Sequence, residues 1–170
     1  MDYMKGVKCT GIILAAGVGK RMESDVPKQF MLLEGKPLLY YSLKTFQDSF
    51  IQDIILVCGK DEIEYCREEI VDKYGFSKVR KIVAGGKERF HSVYQGLKAI
   101  EECDYVFIHD GARPCISQEE LNNMRDNVEL YNACILAVKV KDTIKIADSN
   151  NNVLNTPKRD TLWAVHTPQS

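Results

Sequence analysis

Five short, largely apolar runs are spaced along this chain, and the intervals after each of the first four are long enough to hold an amphipathic helix. They occupy residues 11–16, 53–57, 79–83, 105–108 and 133–138. Most of them are apolar almost throughout, which indicates strands buried on both faces, as in a parallel sheet. Strands that alternate with helices predict an α/β fold with a doubly wound, mostly parallel sheet and right-handed crossovers.

Between the runs, apolar residues recur with the spacing that is typical of amphipathic helices. Pro37 suits the first position of a helix, where a missing N–H has no cost. Leu39, Leu43 and Phe46 then fall on one face of that helix. Further helices are predicted at residues 61–74, 90–100 and 118–128.

Composition excludes several classes of protein. Of the 170 residues, 45% are hydrophobic and 28% are charged, which is typical of a globular domain. The 23 Lys and Arg residues nearly balance the 24 Asp and Glu residues, so we expect no nucleic-acid partner and no membrane partner. The six cysteines and three histidines are dispersed, and their spacing matches no metal-binding motif. The sequence has no recognisable export signal and no apolar stretch of about 20 residues, the length that a membrane-spanning helix needs. We therefore expect a cytoplasmic protein with reduced thiols.

The alternation of strands and helices ends after Val140. Residues 143–146 and 152–155 are polar and β-rich and flank a turn-forming cluster at residues 148–151, so a β-hairpin is predicted. A two-stranded ribbon is marginal in water and needs a surface to pack on. That surface could belong to a partner subunit or to the edge of the sheet in the same subunit, and the pattern alone does not favour either.

The first apolar run leads into a loop of small residues, with the sequence LAAGVGKRM at residues 14–22 and PKQF at 27–30. Small residues let backbone N–H groups approach a ligand closely, as phosphates require. The dinucleotide fingerprint fails here because Met22 stands where its third glycine belongs. The P-loop fails because Leu14 replaces its first glycine and Arg21 its magnesium-binding hydroxyl.

Three cations, Lys20, Arg21 and Lys28, accompany this glycine loop in a chain that is neutral overall. Cations beside closely approaching backbone suit a triphosphate, because nucleotidyl transfer is catalysed mainly by positioning and by neutralising the phosphate oxygens. A solvated basic loop is the simpler alternative, since Lys and Arg usually lie at the surface.

Two further polar loops follow predicted strands, with the sequences GGKERFHSV at residues 85–93 and HDGARP at 109–114. In an open α/β sheet the ligand crevice lies outside the carboxyl ends of the strands, so these loops and the first one are expected to share one rim. Taken singly, Arg113 suits a surface turn and Asp110 a helix cap or turn carboxylate.

Together these motifs closely resemble the 2-C-methyl-D-erythritol 4-phosphate cytidylyltransferases, in register over nearly the whole chain. The matching motifs are LAAGxGxRM at 14–22, PKQ at 27–29, GGxxR at 85–89, SV at 92–93, HDxARP at 109–114, DT at 142–143 and TPQ at 167–169. The resemblance implies a Rossmann-like nucleotidyltransferase fold in a single domain over residues 1–170, with a β-hairpin dimerisation arm at 141–160. It also implies a cytoplasmic homodimer of the non-mevalonate isoprenoid pathway that joins CTP to the polyol phosphate, releases pyrophosphate and requires a divalent cation, normally Mg²⁺.

The same resemblance implies roles for individual residues. Arg21 and Lys28 would contact the CTP phosphates and stabilise the pentacoordinate transition state, and Arg159 is the third catalytic candidate. The substrate-binding candidates are Ala15, Ala16, Gly17, Gly19, Gly86, Arg89, Ser92, Asp110, Gly111, Arg113, Thr143 and Thr167. Asp110 would also contact the metal. Thr143 and Arg159, on the arm, would reach the polyol phosphate held by the other subunit.

Family members continue well past the TPQ motif and supply a further substrate-positioning lysine and closing helices there, so the resemblance implies a C-terminally incomplete chain. Two alternatives stay open. One is a ribitol 5-phosphate cytidylyltransferase, which shares the fold and a similar ending, although the loop at residues 15–17 and the turn at 112–114 favour the methylerythritol enzyme. The other is a truncated, non-catalytic nucleotide-binding module.

Overall fold

A computed structural model describes residues 6–17 and 26–170, and a six-stranded sheet forms its centre. The strands are β1 (Cys9–Ala15), β2 (Leu32–Leu33), β3 (Lys36–Pro37), β4 (Asp53–Cys58), β5 (Val79–Ala84), β6 (Tyr105–Asp110), β7 (Ile135–Lys139), β8 (Ile146–Ala147), β9 (Val153–Asn155) and β10 (Trp163–Gln169). The helices are α1 (Leu38–Gln47), α2 (Ile63–Tyr65), α3 (Arg89–Ala99) and α4 (Gln118–Tyr131). A 3₁₀ turn (Lys60–Glu62) precedes α2 and a π-helical segment (Cys66–Asp72) continues it.

The central sheet has the order β5-β4-β1-β6-β10-β7. The strands β5, β4, β1 and β6 are mutually parallel, whereas β10 runs antiparallel to both β6 and β7. The chain moves outward from β1 through β4 to β5 and then returns to β6 on the other side of β1. This reversal confirms the predicted doubly wound α/β fold and places the ends of β1 and β6 at a topological switch point.

Apolar side chains of β1 alternate between two packed layers. Ile13 belongs to the larger cluster, together with Leu39 of α1 and Leu121 of α4. Ile12 points to the opposite layer, where it packs with Ile55 and Val57 of β4. Because both faces of β1 are buried, the strand is apolar apart from Thr10, which agrees with the apolar run at residues 11–16.

The structure corrects two details of the sequence-based expectations. The antiparallel strand β10 was not predicted, although it lies inside the sheet between β6 and β7. The hairpin is present but shorter than expected, since β8 begins at Ile146 and pairs with β9 across an irregular register. Residues 143–145 therefore lie outside the ladder.

The helices of the described part of the chain are short, and α4 spans 14 residues. A helix needs about 20 mainly apolar residues to cross a bilayer. Within residues 6–17 and 26–170, no helix is both long and apolar enough to do so.

Candidate active site

The carboxyl ends of β1 and its neighbours are aligned, and this alignment creates the site. Ala15 at the end of β1 pairs with Cys58 of β4, and Leu14 pairs with Asp110 of β6. The N–H of Gly111 then donates to the carbonyl oxygen of Leu14 at 2.7 Å. The loops that follow β1, β5 and β6 consequently meet at one edge of the sheet, as the parallel topology predicts.

A cleft of about 470 Å³ lies between these loops, a size suited to a small-molecule ligand. Its walls contain many of the residues singled out in the sequence, namely Ala15, Ala16, Gly17, Lys28, Gly86, Arg89, Ser92 and Asp110. Sequence reasoning missed the other lining residues, which are Leu14, Gln29, Lys87, Glu88 and Ala112. All of these residues lie within or beside the motifs already quoted. Their position in the motifs was therefore the signal by which the sequence could have identified them as lining residues.

The loops after β1 and β5 approach each other at a glycine. A Cβ atom added to Gly85 would lie 2.4 Å from the Cβ of Ala16 and 2.7 Å from the Oγ of Ser92. The neighbouring N–H of Gly86 donates to the Oγ of Ser92 at 3.1 Å. Gly85 thus permits the close approach of the loops after β1 and β5, which any larger residue would push apart. The bond from Gly86 to Ser92 holds the loop after β5 against the first turn of α3.

Gln29 anchors the lysine of the first motif. Its side chain is 3% exposed, and its Nε2 donates to the carbonyl oxygen of Ala15 at 2.6 Å. The bond fastens the 3₁₀ turn Lys28–Phe30 to the end of β1. Lys28, which is exposed on the same turn, is thereby held at the wall of the cleft.

Two arginines flank the carboxylate of Asp110. The Nε of Arg89 lies 3.1 Å from Oδ1 and the Nε of Arg113 lies 3.3 Å from Oδ2. Arg89 also reaches the Oε1 of Gln169 at 3.4 Å, and Arg113 the Nδ1 of His166 at 3.2 Å. One carboxylate therefore orders two guanidinium groups and leaves a net positive charge, which suits binding of phosphate groups.

His109 lies directly beneath this cluster and is 1% exposed. Its Nε2 lies 3.0 Å from the carbonyl oxygen of Arg113, and its Nδ1 lies 3.1 Å from the Oγ1 of Thr167. Burial lowers the pKa of His109 below its usual value because the charged imidazolium is poorly solvated there. The side chain is consequently a neutral hydrogen-bonding group near pH 7.

A second cavity of about 400 Å³ adjoins the cleft, and Ala112 lines both. Arg113, His166 and Thr167 form part of its wall. Gly111, by contrast, is buried behind the site, where an added Cβ atom would lie 2.8 Å from the Cδ1 of Leu39. The site therefore has two adjoining compartments, with Asp110 and its arginines between them.

Comparison with known proteins identifies the family. The family model described as IspD, 2-C-methyl-D-erythritol 4-phosphate cytidylyltransferase, matches residues 9–170. The chain belongs to the 2-C-methyl-D-erythritol 4-phosphate cytidylyltransferase family. It is 54% identical over 161 residues to the enzyme of that name from Lachnospira eligens, covering 94% of this chain and 70% of the relative. The corresponding enzyme from Lachnoclostridium phytofermentans is 51% identical over 163 residues, with 96% and 70% covered.

Solved structures of the cytidylyltransferase family share the fold. The 4-diphosphocytidyl-2C-methyl-D-erythritol synthase of Anaerococcus prevotii superposes with a TM-score of 0.82 at 34% identity, covering 98% of this chain and 70% of that one. The Francisella tularensis 2-C-methyl-D-erythritol 4-phosphate cytidylyltransferase gives 0.76 at 33% identity, with 95% and 71% covered. These matches confirm the predicted fold and favour the methylerythritol enzyme over the ribitol alternative.

The residues expected to bind a metal in this cytidylyltransferase are few. Within the described part of the chain, no group of three or more His, Cys, Asp or Glu side chains is arranged to hold an ion. Asp110 and Glu88 are the carboxylates in the wall of the cleft. Mg²⁺ is commonly held by one or two carboxylates together with substrate phosphates, so this donor set fits a metal that arrives with a nucleotide.

Three of the described site residues that the sequence predicts, Gly111, Thr143 and Arg159, line neither the cleft nor the adjoining cavity. Arg21 and Gly19 lie outside the described residues. Thr143 and Arg159 are exposed, Arg159 in the 3₁₀ turn Arg159–Thr161, and neither lines the cleft or the adjoining cavity of its own chain. The roles predicted for all of these residues stay predictions. A role of Thr143 and Arg159 in a partner's site is consistent with the exposure of these two side chains.

Proposed function

We propose that this chain transfers the cytidylyl group of CTP to the phosphate of 2-C-methyl-D-erythritol 4-phosphate, giving the CDP-linked methylerythritol and pyrophosphate. The reaction belongs to non-mevalonate isoprenoid biosynthesis. The observation that carries the proposal is that a chain matching the cytidylyltransferase family over residues 9–170 gathers four of its motifs, at 14–17, 28–29, 86–92 and 110–112, around one cleft.

In this proposal the cleft between the loops after β1 and β5 holds the nucleotide. The backbone of residues 15–17, with Gly86 and Ser92, would contact the cytosine and the triphosphate. The Cβ position of Gly17 has no atom of the described chain within 4 Å, so its backbone is open to close approach by a ligand. Glycines of this kind suit phosphate binding because N–H groups can reach the ligand unobstructed.

Lys28 is the proposed catalytic cation on the described part of the wall. Arg21, which lies outside the described residues, is proposed as a second catalytic cation because of its place in the motif. The nucleophile is a phosphate that is already anionic at neutral pH, so the reaction needs no strong general base. Its difficulty is the approach of two anions. Fixed cations reduce that repulsion and stabilise the charge on the pentacoordinate phosphorus.

Arg113 is proposed to bind the phosphate of the second substrate. It lies on the wall of the cavity that adjoins the cleft, whereas Arg89 lies on the wall of the cleft itself. Since Asp110 holds both guanidinium groups, it sets the spacing between a cation for the nucleotide and a cation for the polyol phosphate. In-line transfer requires such fixed spacing between the two reactants.

A divalent cation, Mg²⁺ by preference, completes the proposed site. Asp110 would supply a carboxylate oxygen and the triphosphate the remaining non-water ligands. When bound, the ion neutralises charge on the phosphate oxygens. Glu88 lines the same cleft and offers a second carboxylate.

A homodimer built through the hairpin arm is also proposed, with the arm at residues 141–160 as part of one domain over residues 1–170. Apolar side chains on the hairpin are exposed: Ile146 by 48%, Val153 by 59% and Leu154 by 66%. Such side chains on an otherwise polar ribbon favour burial against a partner subunit over an edge position on the same subunit. Thr143 and Arg159 would then act in the partner's site.

We propose a cytoplasmic location for this enzyme. The structure leaves all six cysteines as free thiols, three of them buried. Reduced thiols are typical of a reducing compartment.

Pyrophosphate release tests the function directly. The protein is incubated with CTP, Mg²⁺ and either 2-C-methyl-D-erythritol 4-phosphate or ribitol 5-phosphate, and pyrophosphate is measured with each. We expect turnover with the methylerythritol substrate. Turnover with ribitol 5-phosphate alone would replace the proposal by the ribitol enzyme, and CTP binding without any turnover would replace it by a binding module.

A further inference from the structure

His109 is completely enclosed between α1 and the strands β6 and β10, yet both of its ring nitrogens are engaged. Its ring stacks on Phe46 of α1 with centroids 5.5 Å apart. The groups it bonds belong to Arg113 and Thr167, one on the turn after β6 and one on β10. The imidazole thus connects two segments that meet at the boundary of the two compartments.

The direction of each hydrogen bond follows from the chemistry of the partners. The carbonyl oxygen of Arg113 can only accept, so Nε2 of His109 carries the proton. The N–H of Asp110 can only donate, so the Oγ1 of Thr167, 3.2 Å away, accepts from it. The hydroxyl proton of Thr167 is then free for Nδ1 of the neutral imidazole. The chain runs from Asp110 N–H to Thr167, from Thr167 O–H to His109, and from His109 to the Arg113 carbonyl.

We propose that His109 and Thr167 are positioning residues: their hydrogen-bonded relay fixes Asp110 and Arg113 in the geometry that receives the polyol phosphate. This inference rests on the proposed function and deepens it. The hydroxyl of Thr167 donates its proton to His109, so it can offer a ligand only a lone pair. It can accept from a substrate hydroxyl but cannot donate to a phosphate oxygen without breaking the relay.

Ser42 supports the same turn from the other side. Its Oγ lies 3.1 Å from the carbonyl oxygen of Gly111 and 3.2 Å from that of Arg113. The Arg113 carbonyl therefore faces two donors, and the N–H of Arg113 donates to the carbonyl oxygen of Asp110 at 3.0 Å. With its backbone held at these points, the Arg113 side chain starts from a fixed position.

Two conservative substitutions separate the two halves of the relay. In His109→Asn, the amide oxygen can replace Nδ1 and accept from Thr167, but the donor to Arg113 is lost. In His109→Gln, the amide nitrogen can replace Nε2 and donate to Arg113, but the acceptor for Thr167 is lost. We expect His109→Asn to raise KM for the polyol phosphate about ten-fold, as expected for loss of one hydrogen bond to the turn.

The KM for CTP and the kcat distinguish positioning from a general loss of structure. We expect each to change by less than about three-fold in His109→Asn, since one displaced contact affects chiefly the substrate bound there. Thr10→Val is the matched control for Thr167→Val, because Thr10 is also a buried threonine but lies near the amino end of β1, remote from the cleft. It should leave both KM values unchanged.

A double-mutant cycle tests the connection between the two residues. Thr167→Val should add less to His109→Gln, in which the bond between Thr167 and His109 is already absent and only the bond from the Asp110 N–H is left to lose. It should add its full effect to His109→Asn, in which that bond is retained. Equal additivity in both backgrounds would overturn the relay.

Nitrogen-15 NMR of the imidazole provides a readout that does not depend on activity or on folding of a variant. The wild-type protein should show His109 in the neutral tautomer protonated at Nε2. Protonation at Nδ1 instead would overturn the proposal, and so would unchanged KM values in both His109 variants. An inactive wild type with the expected tautomer would count against the proposed function while leaving the relay in place.

Discussion

The side-chain amide of Gln29 donates to the backbone carbonyl of Ala15, with Nε2 2.6 Å from the oxygen. The bond joins the turn that carries Lys28 to the last residue of β1. Because Gln29 is buried, water cannot replace this partner. The exposed turn that carries Lys28, the proposed catalytic lysine, is in this way held rigidly to the central sheet.

Replacing Gln29 tests the anchor. We expect Gln29→Leu to lower the free energy of unfolding by about 1–3 kcal/mol, because it leaves a buried carbonyl without a donor. KM for CTP should rise as the turn of Lys28 loosens. Gln118→Leu is the matched control: Gln118 donates to the Thr45 carbonyl at the same distance of 2.6 Å but is only partly buried. Urea unfolding that shows equal losses in the two variants would refute the anchor.

Removing the proposed catalytic cation should affect turnover more than folding. We expect Lys28→Ala to lower kcat by about 100-fold or more, which is typical of losing one transition-state charge contact. Lys98→Ala, on the far end of α3, controls for the loss of one positive charge. Near-normal turnover of Lys28→Ala would remove Lys28 from the catalytic role.

The sequence was sufficient to predict where the loops meet, because the carboxyl ends of parallel strands share one edge. Runs such as residues 54–57 are apolar throughout, which indicates strands buried on both faces of a parallel sheet. Ala15 and Asp110 then had to lie at neighbouring strand ends, and they do.

Other features depended on contacts that no local pattern contains. The strand β10 is inserted antiparallel between β6 and β7, and most of its residues are at least partly exposed. Its placement follows from pairing with distant strands rather than from periodicity. The bonds of Gln29 and His109 are likewise long-range, so their partners could be identified only once the strands were in register.

Glycine substitutions test the close approach of the loops after β1 and β5. We expect Gly85→Ala to destabilise the protein and weaken CTP binding, since its methyl group would lie 2.4 Å from the Cβ of Ala16. Gly17→Ala should leave stability nearly unchanged, because its Cβ would have no described atom within 4 Å. Thermal unfolding and CTP titration measure both effects. Equal stability of the two variants would contradict the steric argument.

The stability of the protein in acid tests an ion pair at the opposite edge of the sheet. A hydrogen bond from Arg80, with a further contribution from Lys8, lowers the pKa of Asp53 below its usual 3.8. A carboxylate with a lowered folded-state pKa stabilises the protein above the unfolded value, and this contribution disappears as pH falls through the folded value. Asp53→Asn should therefore lose stability at pH 7 and show a weaker pH dependence below about pH 4. Parallel curves for wild type and variant would refute this assignment.

Mixing two inactive variants tests whether the arm acts on the partner. If Arg159 serves the other subunit's site, a heterodimer of Lys28→Ala and Arg159→Ala chains contains one site with both defects and one with neither. Random reassortment of equal amounts would then restore about a quarter of wild-type activity, since half of the dimers are mixed and each has one intact site. If Arg159 served its own chain's site, every site would carry one defect, and mixing would restore nothing. The gain on mixing thus distinguishes an exchanged arm from an edge hairpin.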